Sequence, residues 1–228
     1  MTDHFADVAA RYDSSFGPMG EEDTVALLAE VAGGGPALEL AIGTGRIALP
    51  LAARGVPVTG IDLSEPMVEQ LRGKPGGADI PVTIGDFSTT RVDGAFRLVY
   101  LVFNTIMNVT TQDAQVATFE NAAAHLEPGG CFVVECMVPD LRRLPPGERY
   151  VAFSDRGIDE YDVANQGLIS HHHSENGRWS MPFRYASPAE FDLMARIAGL
   201  RLRDRWEDWR RTPFTSESRS HVSVWKKP

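Results

Sequence analysis

The chain has 228 residues, and 31 acidic against 22 basic side chains give it a formal net charge of −9. Its length is typical of one domain with a sizeable core. The acidic balance argues against a nucleic-acid partner, because neutralising phosphates requires clustered Lys and Arg.

The sequence also indicates a compartment. No run approaches 18 apolar residues, and the first residues lack the charged and apolar regions of a signal peptide. Cys131 and Cys136 lie five positions apart in an apolar run, which places them on opposite faces of a strand and makes them neither a redox pair nor a metal pair. We therefore expect a protein of the reducing cytoplasm that has no membrane segment.

Two helices are predicted before the first strand. Residues 5–13 have a short amphipathic pattern that carries the pair Tyr12-Asp13. The second helix is predicted at about 21–32, because acidic residues fill its first turn and a Gly-Gly-Gly-Pro run at 33–36 ends it.

The most informative stretch lies at 37–52. A short apolar run that contains Glu39 leads into a turn with Gly43 and Gly45, and apolar residues then resume at helical spacing. Glycine lets the backbone turn sharply and lets a ligand lie against the main chain. The free amides at the start of the helix suit a carboxylate or a phosphate. The pattern predicts a strand, a ligand-binding loop and a helix.

Two kinds of cofactor fit this loop. Gly43-x-Gly45-x-x-Ala48 matches the dinucleotide fingerprint in its GxGxxA form, with Asp62 as the ribose acid. A dinucleotide gives no purpose to Glu39, whose carboxylate lies in a strand where a buried charge is costly unless something pairs with it. Glu39-x-x-x-Gly43-x-Gly45 resembles motif I of the class I S-adenosylmethionine-dependent methyltransferases, whose cationic ligand would supply that partner.

The next two strands each end in an acid. A strand predicted at 57–62 ends at Asp62, whose carboxylate can accept hydrogen bonds from both ribose hydroxyls in either interpretation. A strand at 81–87 repeats this pattern with Asp86 and Phe87. In the methyltransferases that the chain resembles, the corresponding acid accepts from the adenine amino group and its neighbour offers a backbone amide to the ring. A dehydrogenase has no comparable need for Asp86, so the combination favours a methyltransferase.

A continuous apolar run at 96–104 predicts a central parallel strand that is covered on both faces. Ligands of such sheets bind beyond the carboxyl ends of the strands, which places Phe103, Asn104 and Met107 near the transferred methyl group. A helix is then predicted from Thr111 to Leu126.

The chain after this helix has two parts. A Pro-Gly-Gly turn at 128–130, in a string that resembles the helix-to-strand turn of the same family, leads into a fifth strand at 131–138. Residues 140–186 break the alternation of strands and helices and predict a small antiparallel sheet, with strands at 158–163, 168–173 and 179–185. A helix with a capping box at 187–190, and strands at 200–209 and 220–226, complete the predicted fold.

The resemblance implies a set of cofactor-binding positions. Tyr12 looks like the aromatic residue with which an N-terminal helix folds over the cofactor in small-molecule methyltransferases, although an ordinary surface helix fits the pattern equally well. Met67 could place its thioether against adenine, although packing in the core explains it better. The implied positions are Tyr12, Glu39, Ala41, Gly43, Thr44, Gly45, Asp62, Leu63, Met67, Gly85, Asp86, Phe87, Phe103, Asn104 and Met107.

The acceptor side offers weaker signals. His171-His172-His173 lies in the predicted inserted sheet, where successive residues point to opposite faces, and no HxE, CxxC or HExxH pattern supplies further metal ligands. We predict no metal site. The histidines are either solvated or hydrogen-bonded on a half-exposed strand, or they are functional, and in the second case His172 serves as a base or as a substrate-orienting group, since imidazole titrates near neutrality. Tyr161, Arg184 and Tyr185 are candidates on the same grounds.

The predicted fold class is α/β: a Rossmann-like seven-stranded methyltransferase sheet with an antiparallel last strand, plus a small antiparallel β insertion after strand five. We expect one methyltransferase domain over 1–228. Its parts are an N-terminal helical cap at 1–35, a cofactor-binding core at 36–139, the inserted substrate-side sheet at 140–186, and a C-terminal helix and hairpin at 187–228.

The resemblance implies methyl transfer from S-adenosyl-L-methionine to an oxygen or nitrogen nucleophile of a small molecule, by in-line displacement and with S-adenosyl-L-homocysteine as the product. The chain has no Asn-Pro-Pro-Tyr-type motif of base and amide methylation. An NAD(P)-dependent oxidoreductase is the alternative, and a non-catalytic binding protein with the methyltransferase fold is the third possibility. The acceptor and the oligomeric state stay open.

Overall fold

The computed structural model describes residues 6–16, 21–139, 141–174 and 177–228. The strands are β1 (Ala37–Leu40), β2 (Val58–Asp62), β3 (Val82–Ile84), β4 (Phe96–Leu101), β5 (Leu126–Met137), β6 (Tyr150–Ser154), β7 (Gly157–Asp162), β8 (Gly167–Ser174), β9 (Gly177–Arg184), β10 (Arg201–Trp206) and β11 (Ser220–Lys226). The α-helices are α1 (Tyr12–Phe16), α2 (Glu21–Ala32), α3 (Ala48–Ala53), α4 (Glu65–Arg72), α5 (Gln112–His125) and α6 (Pro188–Ile197).

Seven strands form one mixed sheet in the order β10-β11-β5-β4-β1-β2-β3. The strands from β1 to β5 pair in parallel, and β11 runs antiparallel to both β5 and β10. All four residues of β1 are buried, as are nearly all residues of β4, because helices cover both faces of the sheet. This order confirms the predicted Rossmann-like sheet with an antiparallel last strand.

The helices pack on the two faces of this sheet. Leu28 of α2, Leu51 of α3 and Leu71 of α4 belong to one apolar cluster, and Phe119 of α5 and Phe191 of α6 belong to the other. Both clusters use alternate side chains of the same strands, which is how a parallel sheet buries apolar residues on both sides. Among the described residues, no helix combines the length and the apolar character needed to cross a membrane.

Two predicted boundaries differ from the structure. Leu126 begins β5 instead of ending the preceding helix, and the turn predicted at 128–130 is a bulge inside β5, where the register with β4 shifts and Gly129 has a φ of +82°. Near the N-terminus, a 3₁₀-helix at Ala6–Arg11 precedes α1 where one α-helix was predicted from Phe5, a residue outside the described ranges.

The inserted segment forms a separate four-stranded antiparallel sheet in the order β6-β7-β8-β9, which confirms the predicted insertion. Strand β6 was not predicted, because this edge strand is largely exposed and lacks an alternation of polar and apolar residues. The turn predicted at 175–177 begins at Glu175 and Asn176, which lie outside the described residues.

Arg184 at the end of β9 ties the inserted sheet to the core. Its guanidinium is 5% exposed and donates to Gln115 Oε1 of α5 at 2.5 Å, to Gln166 Oε1 at 2.7 Å and to Glu190 Oε1 of α6 at 2.6 Å. Ser187 caps α6 as predicted, since its Oγ accepts from the Glu190 amide at 3.2 Å. These bonds position the inserted sheet beside the carboxyl ends of the large sheet.

Candidate active site

A cleft lies at the carboxyl ends of β1, β2 and β4, where open parallel sheets bind their ligands. The predicted cofactor positions that line it are Tyr12, Glu39, Ala41, Gly43, Thr44, Asp62, Leu63, Met67, Phe87 and Phe103. The other predicted positions, Gly45, Gly85, Asp86, Asn104 and Met107, are not part of its lining. Sequence reasoning missed several residues that do line the cleft: Ile42, Arg46, Ile47, Ser64, Val102, Thr105 and Asn108.

The glycine loop after β1 turns through three left-handed residues. Ala41, Gly43 and Gly45 have φ angles of +58°, +53° and +76°. Gly43 faces the cleft. Gly45 packs closely against α4, since a Cβ at this position would lie 2.3 Å from Leu71 Cδ1. Glycine at 45 therefore serves close packing of α4 against the loop, and Ala41 holds a conformation that costs a non-glycine residue about 1 kcal/mol or more.

Asp62 at the end of β2 holds this loop in place. Its Oδ2 accepts from the Gly43 amide at 2.6 Å and its Oδ1 from the Ser64 amide at 2.8 Å, and the residue is only 7% exposed. One carboxylate therefore fixes the loops that follow β1 and β2. A carboxylate has about four acceptor sites and can accept from several donors at once.

Glu39 is a nearly buried acid at the bottom of the cleft, 3% exposed. Its Oε2 accepts from the Tyr100 hydroxyl at 2.9 Å. Burial raises the pKa of Glu39 well above its ordinary value, the bond from Tyr100 opposes this, and the charge of Asp62 adds to it. A carboxyl in this environment favours either a proton or a cationic ligand beside it.

The loop after β3 gives Asp86 a local role. Its Oδ1 accepts from the Ser88 amide at 2.9 Å and from the Ser88 hydroxyl at 2.7 Å. Burial alone would raise the pKa of Asp86, but these bonds bring it below its ordinary value. Phe87 lies in the wall of the cleft and is 2% exposed. The structure thus shows Asp86 organising the turn that presents Phe87, and its contact with adenine stays a prediction.

The N-terminal segment closes over the glycine loop. Asp13 Oδ1 accepts from Thr44 Oγ1 at 2.7 Å, and Lys74 Nζ lies 2.5 Å from Asp13 Oδ2 and 2.7 Å from the Thr44 carbonyl oxygen. These contacts, called here the Asp13 clasp, place Tyr12 in the wall of the cleft. The pair Tyr12-Asp13 therefore lies beside the glycine loop and the cleft, and its contact with a cofactor stays a prediction.

Arg46 at the start of the glycine-loop helix was not predicted as a site residue. Its Nε donates to Glu21 Oε1 at 2.7 Å, and its guanidinium lies 5.6 Å from the centre of the Phe103 ring. Its Nη1 is buried and has no hydrogen-bond partner among the described residues. Two other atoms of cleft residues, Ser64 Oγ and Asn108 Oδ1, are also buried without a hydrogen-bond partner among the described residues. Buried polar atoms of this kind need a ligand or a water molecule as a partner.

The loop after β4 is held by two side chains of neighbouring elements. Phe103 and Asn104 have φ angles of +56° and +58°, which cost about 1–3 kcal/mol each and cluster at functional sites. The Phe103 amide donates to Glu135 Oε2 at 2.9 Å, and Asn104 Oδ1 accepts from the Met137 amide at 2.6 Å. These two bonds to β5 therefore stabilise the strained loop conformation that turns Phe103 toward the cleft.

A second cavity continues from the cleft to the inserted sheet, and both share Tyr12, Phe103, Thr105 and Asn108. Its other lining residues are Asn104, Glu135, Phe153, Asp159, Ser170, His172, Trp179, Met181 and Phe183. We call it the acceptor-side cavity.

His172 is the catalytic candidate that lines this cavity. Its ring stacks on Trp179 with centres 3.8 Å apart and planes 6° apart, and its Nε2 lies 3.0 Å from Ser170 Oγ. Burial lowers the pKa of His172, which the charge of Asp159 partly opposes. Among the described residues, no group of three or more His, Cys, Asp or Glu could hold a metal ion.

The two predicted tyrosines lie elsewhere. Tyr161 and Tyr185 are 6% and 3% exposed, belong to an apolar core cluster, and have ring centres 5.6 Å apart. Neither is among the residues that line the cleft or the acceptor-side cavity. Their catalytic role stays a prediction, and the geometry favours His172.

The sheet order, the glycine loop after β1 and the acids at the strand ends define the class I methyltransferase fold. Residues 37–130 match the model of a family described as methyltransferase domain. The cypemycin N-terminal methyltransferase of a Streptomyces species is 30% identical over 198 residues, which are 82% of this chain and 81% of the relative. The chain therefore belongs to the S-adenosylmethionine-dependent methyltransferases, and the oxidoreductase alternative is set aside.

Solved structures agree. The CcbJ methyltransferase from Streptomyces caelestis is 36% identical, with a TM-score of 0.82 over 99% of this chain and 96% of that one. CalS10 of Micromonospora echinaspora, solved with S-adenosylmethionine bound, is 19% identical, with a TM-score of 0.67 over 100% of this chain and 99% of that one, and shows the fold alone.

Proposed function

We propose that this chain transfers a methyl group from S-adenosyl-L-methionine to a nitrogen or oxygen nucleophile of a small molecule, by in-line displacement and with S-adenosyl-L-homocysteine as product. The observation that carries the proposal is the continuity of the two cavities across Tyr12 and Phe103. A ligand in the cleft and a second one in the acceptor-side cavity would meet at these two aromatic side chains.

The cleft fits this cofactor by the chemistry of the groups that line it. Arg46 Nη1 is a buried cationic donor without a partner among the described residues, which suits the carboxylate of an amino acid. The carboxylate of Asp62 is an acceptor of the kind that ribose hydroxyls need, and the apolar side chains of Met67 and Phe87 suit a flat base. Glu39 supplies the negative charge that a cationic ligand needs.

The proposed chemistry asks for alignment more than for covalent help from the protein. The sulfonium of the cofactor supplies an already activated methyl group when bound. The residues of this chain would hold the nucleophile in line with it at about 3–3.5 Å, which can account for much of the acceleration. Tyr12, held by the Asp13 clasp, would exclude water from the junction of the two cavities.

Two observations support a catalytic role with a small acceptor. A non-catalytic protein would fill the acceptor side with side chains from 140–186, whereas in this structure the same segment lines a cavity. The relative from Streptomyces is named as an N-terminal methyltransferase, which supports nitrogen as the nucleophile.

Calorimetric titration with S-adenosylhomocysteine, NAD and NADP in parallel tests the cofactor. We expect micromolar binding of S-adenosylhomocysteine and no heat from the other two. Binding of a nicotinamide nucleotide in its place would overturn the proposal.

A second titration tests the place of the carboxylate. Arg46→Met should lower the affinity for S-adenosylhomocysteine about tenfold or more, because a hydrogen bond to a charged group contributes about 1.5–3 kcal/mol. The same variant should bind 5′-methylthioadenosine, which has no amino-acid part, as the wild type does. Glu21→Gln, which removes the ion pair of Arg46 and leaves its guanidinium, is the matched control.

A further inference from the structure

The acceptor-side cavity has an unusual balance of charge. Two carboxylates, those of Glu135 and Asp159, belong to its lining, and burial raises the pKa of both. None of the described residues that line it is a Lys or an Arg. Aromatic rings complete the wall, among them Phe153 and Trp179. Acids beside aromatic faces attract cations and repel anions.

Asp159, Ser170 and His172 lie side by side on one face of two neighbouring strands. Asp159 of β7 and Ser170 of β8 are direct partners in the antiparallel register, and the Ser170 hydroxyl opposes the rise that burial causes in the pKa of Asp159. Ser170 Oγ lies 3.0 Å from His172 Nε2. A Ser170 hydroxyl that donates to Asp159 leaves its oxygen to accept from His172, and this arrangement fits the tautomer with the proton on Nε2.

This order of donors leaves Nδ1 of His172 with its lone pair. Nδ1 has no hydrogen-bond partner among the described residues, whereas Nε2 is occupied by Ser170. Trp179 fixes the plane of the ring by stacking, and Phe153 packs against it with ring centres 5.3 Å apart. A neutral, oriented imidazole with one free basic nitrogen is suited to accept a proton.

We infer that the acceptor is a small-molecule amine that enters this cavity as an ammonium ion and gives its proton to Nδ1 of His172 before methyl transfer. The inference rests on the proposed function and names its substrate class. Asp159 and Ser170 are positioning residues that hold the tautomer of His172. A carboxylate or phosphate acceptor would find no cationic side chain among the described lining residues.

The step balances as follows. The N–H bond of the ammonium breaks and Nδ1–H forms, which yields a neutral amine and an imidazolium. The amine lone pair forms the N–C bond to the methyl group while the S–C bond breaks. The electron pair of the S–C bond stays on sulfur and neutralises the sulfonium. The product is a methylated ammonium with S-adenosylhomocysteine, and the imidazolium returns one proton to water. The negative charge of Asp159 stabilises the transient imidazolium.

Binding of three matched probes tests the substrate class. Benzylamine, benzyl alcohol and benzoate are titrated separately into the protein saturated with S-adenosylhomocysteine. We expect benzylamine to bind at least about tenfold more tightly than the other two, and Asp159→Asn to remove most of this preference, because it removes a cation-binding charge. Equal or tighter binding of benzyl alcohol or benzoate would overturn the inference, while failure of S-adenosylhomocysteine itself to bind would refute the proposed function instead.

A second readout follows the base directly. An imidazolium stacked on an indole quenches its fluorescence, so the Trp179 signal, isolated by difference from Trp179→Phe, reports the protonation of His172. The groups whose charge acts on the pKa of His172 are Asp159 on β7 and His171 and His173 on β8, and the same cavity also holds Glu135 and Tyr12. Phe153 of β6 and Trp179 of β9 pack against the ring. Asp159→Asn should lower the midpoint of the quenching, because the carboxylate raises the pKa of His172.

Turnover of benzylamine completes the test. His172→Gln should lower kcat about 100-fold or more near neutral pH, and its rate should rise only as the amine itself deprotonates. His173→Gln, an exposed neighbour that alternates to the other face of β8, is the matched control. It should retain the wild-type kcat near neutral pH, and the midpoint of its profile should move only slightly upward, because the charge of His173 lowers the pKa of His172. An unchanged pH profile in a folded His172→Gln variant would overturn the role of His172.

Discussion

The cleft and the acceptor-side cavity, called here the donor side and the acceptor side, are built differently. The cleft is formed by strand ends of the large sheet and by backbone amides that buried acids hold in place, such as Asp62 at 7% exposure. The acceptor side is formed by side chains of an inserted sheet, and Phe153 and Trp179 are 44% and 48% exposed. The donor side therefore depends on loop geometry, and the acceptor side depends on the placement of one small sheet.

This difference implies separate weak points. A change at the strand ends should alter cofactor binding, whereas a change where the inserted sheet meets α5 and α6 should alter stability and the acceptor side. The following predictions test this division, from the largest expected effect to the smallest.

Arg184→Met should give the largest effect, a loss of about 3–5 kcal/mol in the free energy of unfolding, because it leaves Glu190 without its charged partner. Chemical denaturation measures this. Arg149→Met, which breaks an exposed ion pair with Glu160 in the same sheet, should change stability by less than about 1 kcal/mol. Equal effects of the two variants would contradict the anchoring role of Arg184.

The same anchor predicts a dependence on pH. Burial alone would raise the pKa of Glu190, but the bonds from Arg184, Gln166 and Gln112 lower it below the ordinary value of 4.5. This contribution to stability is complete above pH 4.5 and is lost as the pH falls through the lowered pKa. Arg184→Met should flatten this part of the stability curve.

Asp62→Ala should weaken the binding of both S-adenosylhomocysteine and 5′-methylthioadenosine by about 2–3 kcal/mol, which is about 30-fold to 150-fold in affinity. The reason is that the substitution releases the Gly43 and Ser64 amides and removes a charged acceptor. Titration calorimetry with both ligands measures this. Asp93→Asn, at an exposed acid, is the control. Loss of S-adenosylhomocysteine binding alone would contradict a ribose contact.

Gly45→Ala should lower the free energy of unfolding by about 1–3 kcal/mol more than Gly55→Ala does. Both residues have positive φ, but the added Cβ would lie 2.3 Å from Leu71 Cδ1 at position 45, and at position 55 it would meet nothing within 4 Å. The pair therefore separates packing of α4 from backbone strain, and equal losses would show that strain dominates.

Glu39→Gln should stabilise the ligand-free protein by about 1 kcal/mol at pH 8 and lower the affinity for the cofactor about tenfold. Because burial raises the pKa of Glu39 above its ordinary value, the wild type loses stability as the pH rises above 4.5, and the amide removes this loss. Thermal unfolding should shift upward by about 2–4 °C. A downward shift would show that the carboxylate itself holds the fold together.

Asp13→Asn should have the smallest effect, a loss of cofactor affinity of about twofold to fivefold, because the Asp13 side chain is 44% exposed and solvent weakens its pair with Lys74. Asp23→Asn, which breaks an ion pair with Arg210 at an aspartate that is 42% exposed, should leave affinity unchanged. A similar loss in both variants would point to surface charge in place of the clasp.

The sequence alone predicted much of the donor side. Glycines that need a left-handed backbone, apolar runs of strand length and acids at strand ends are local features, and they predicted the strands of the large sheet and the loop residues Gly43 and Asp62 that line the cleft. Resemblance to a family then supplied the arrangement of the sheet with its antiparallel last strand and the class of cofactor. The same resemblance implied a contact of Tyr12 with the cofactor, which stays a prediction.

Only the tertiary structure revealed that the buried Nη1 atom of Arg46 has no partner among the described residues, that Asp159, Ser170 and His172 lie together on neighbouring strands, and that Tyr161 and Tyr185 lie in the core. These features join residues of different strands, and which face of a strand meets a cavity depends on how the inserted sheet docks. That docking is decided by Arg184 and its distant partners, so no local pattern of the sequence records it.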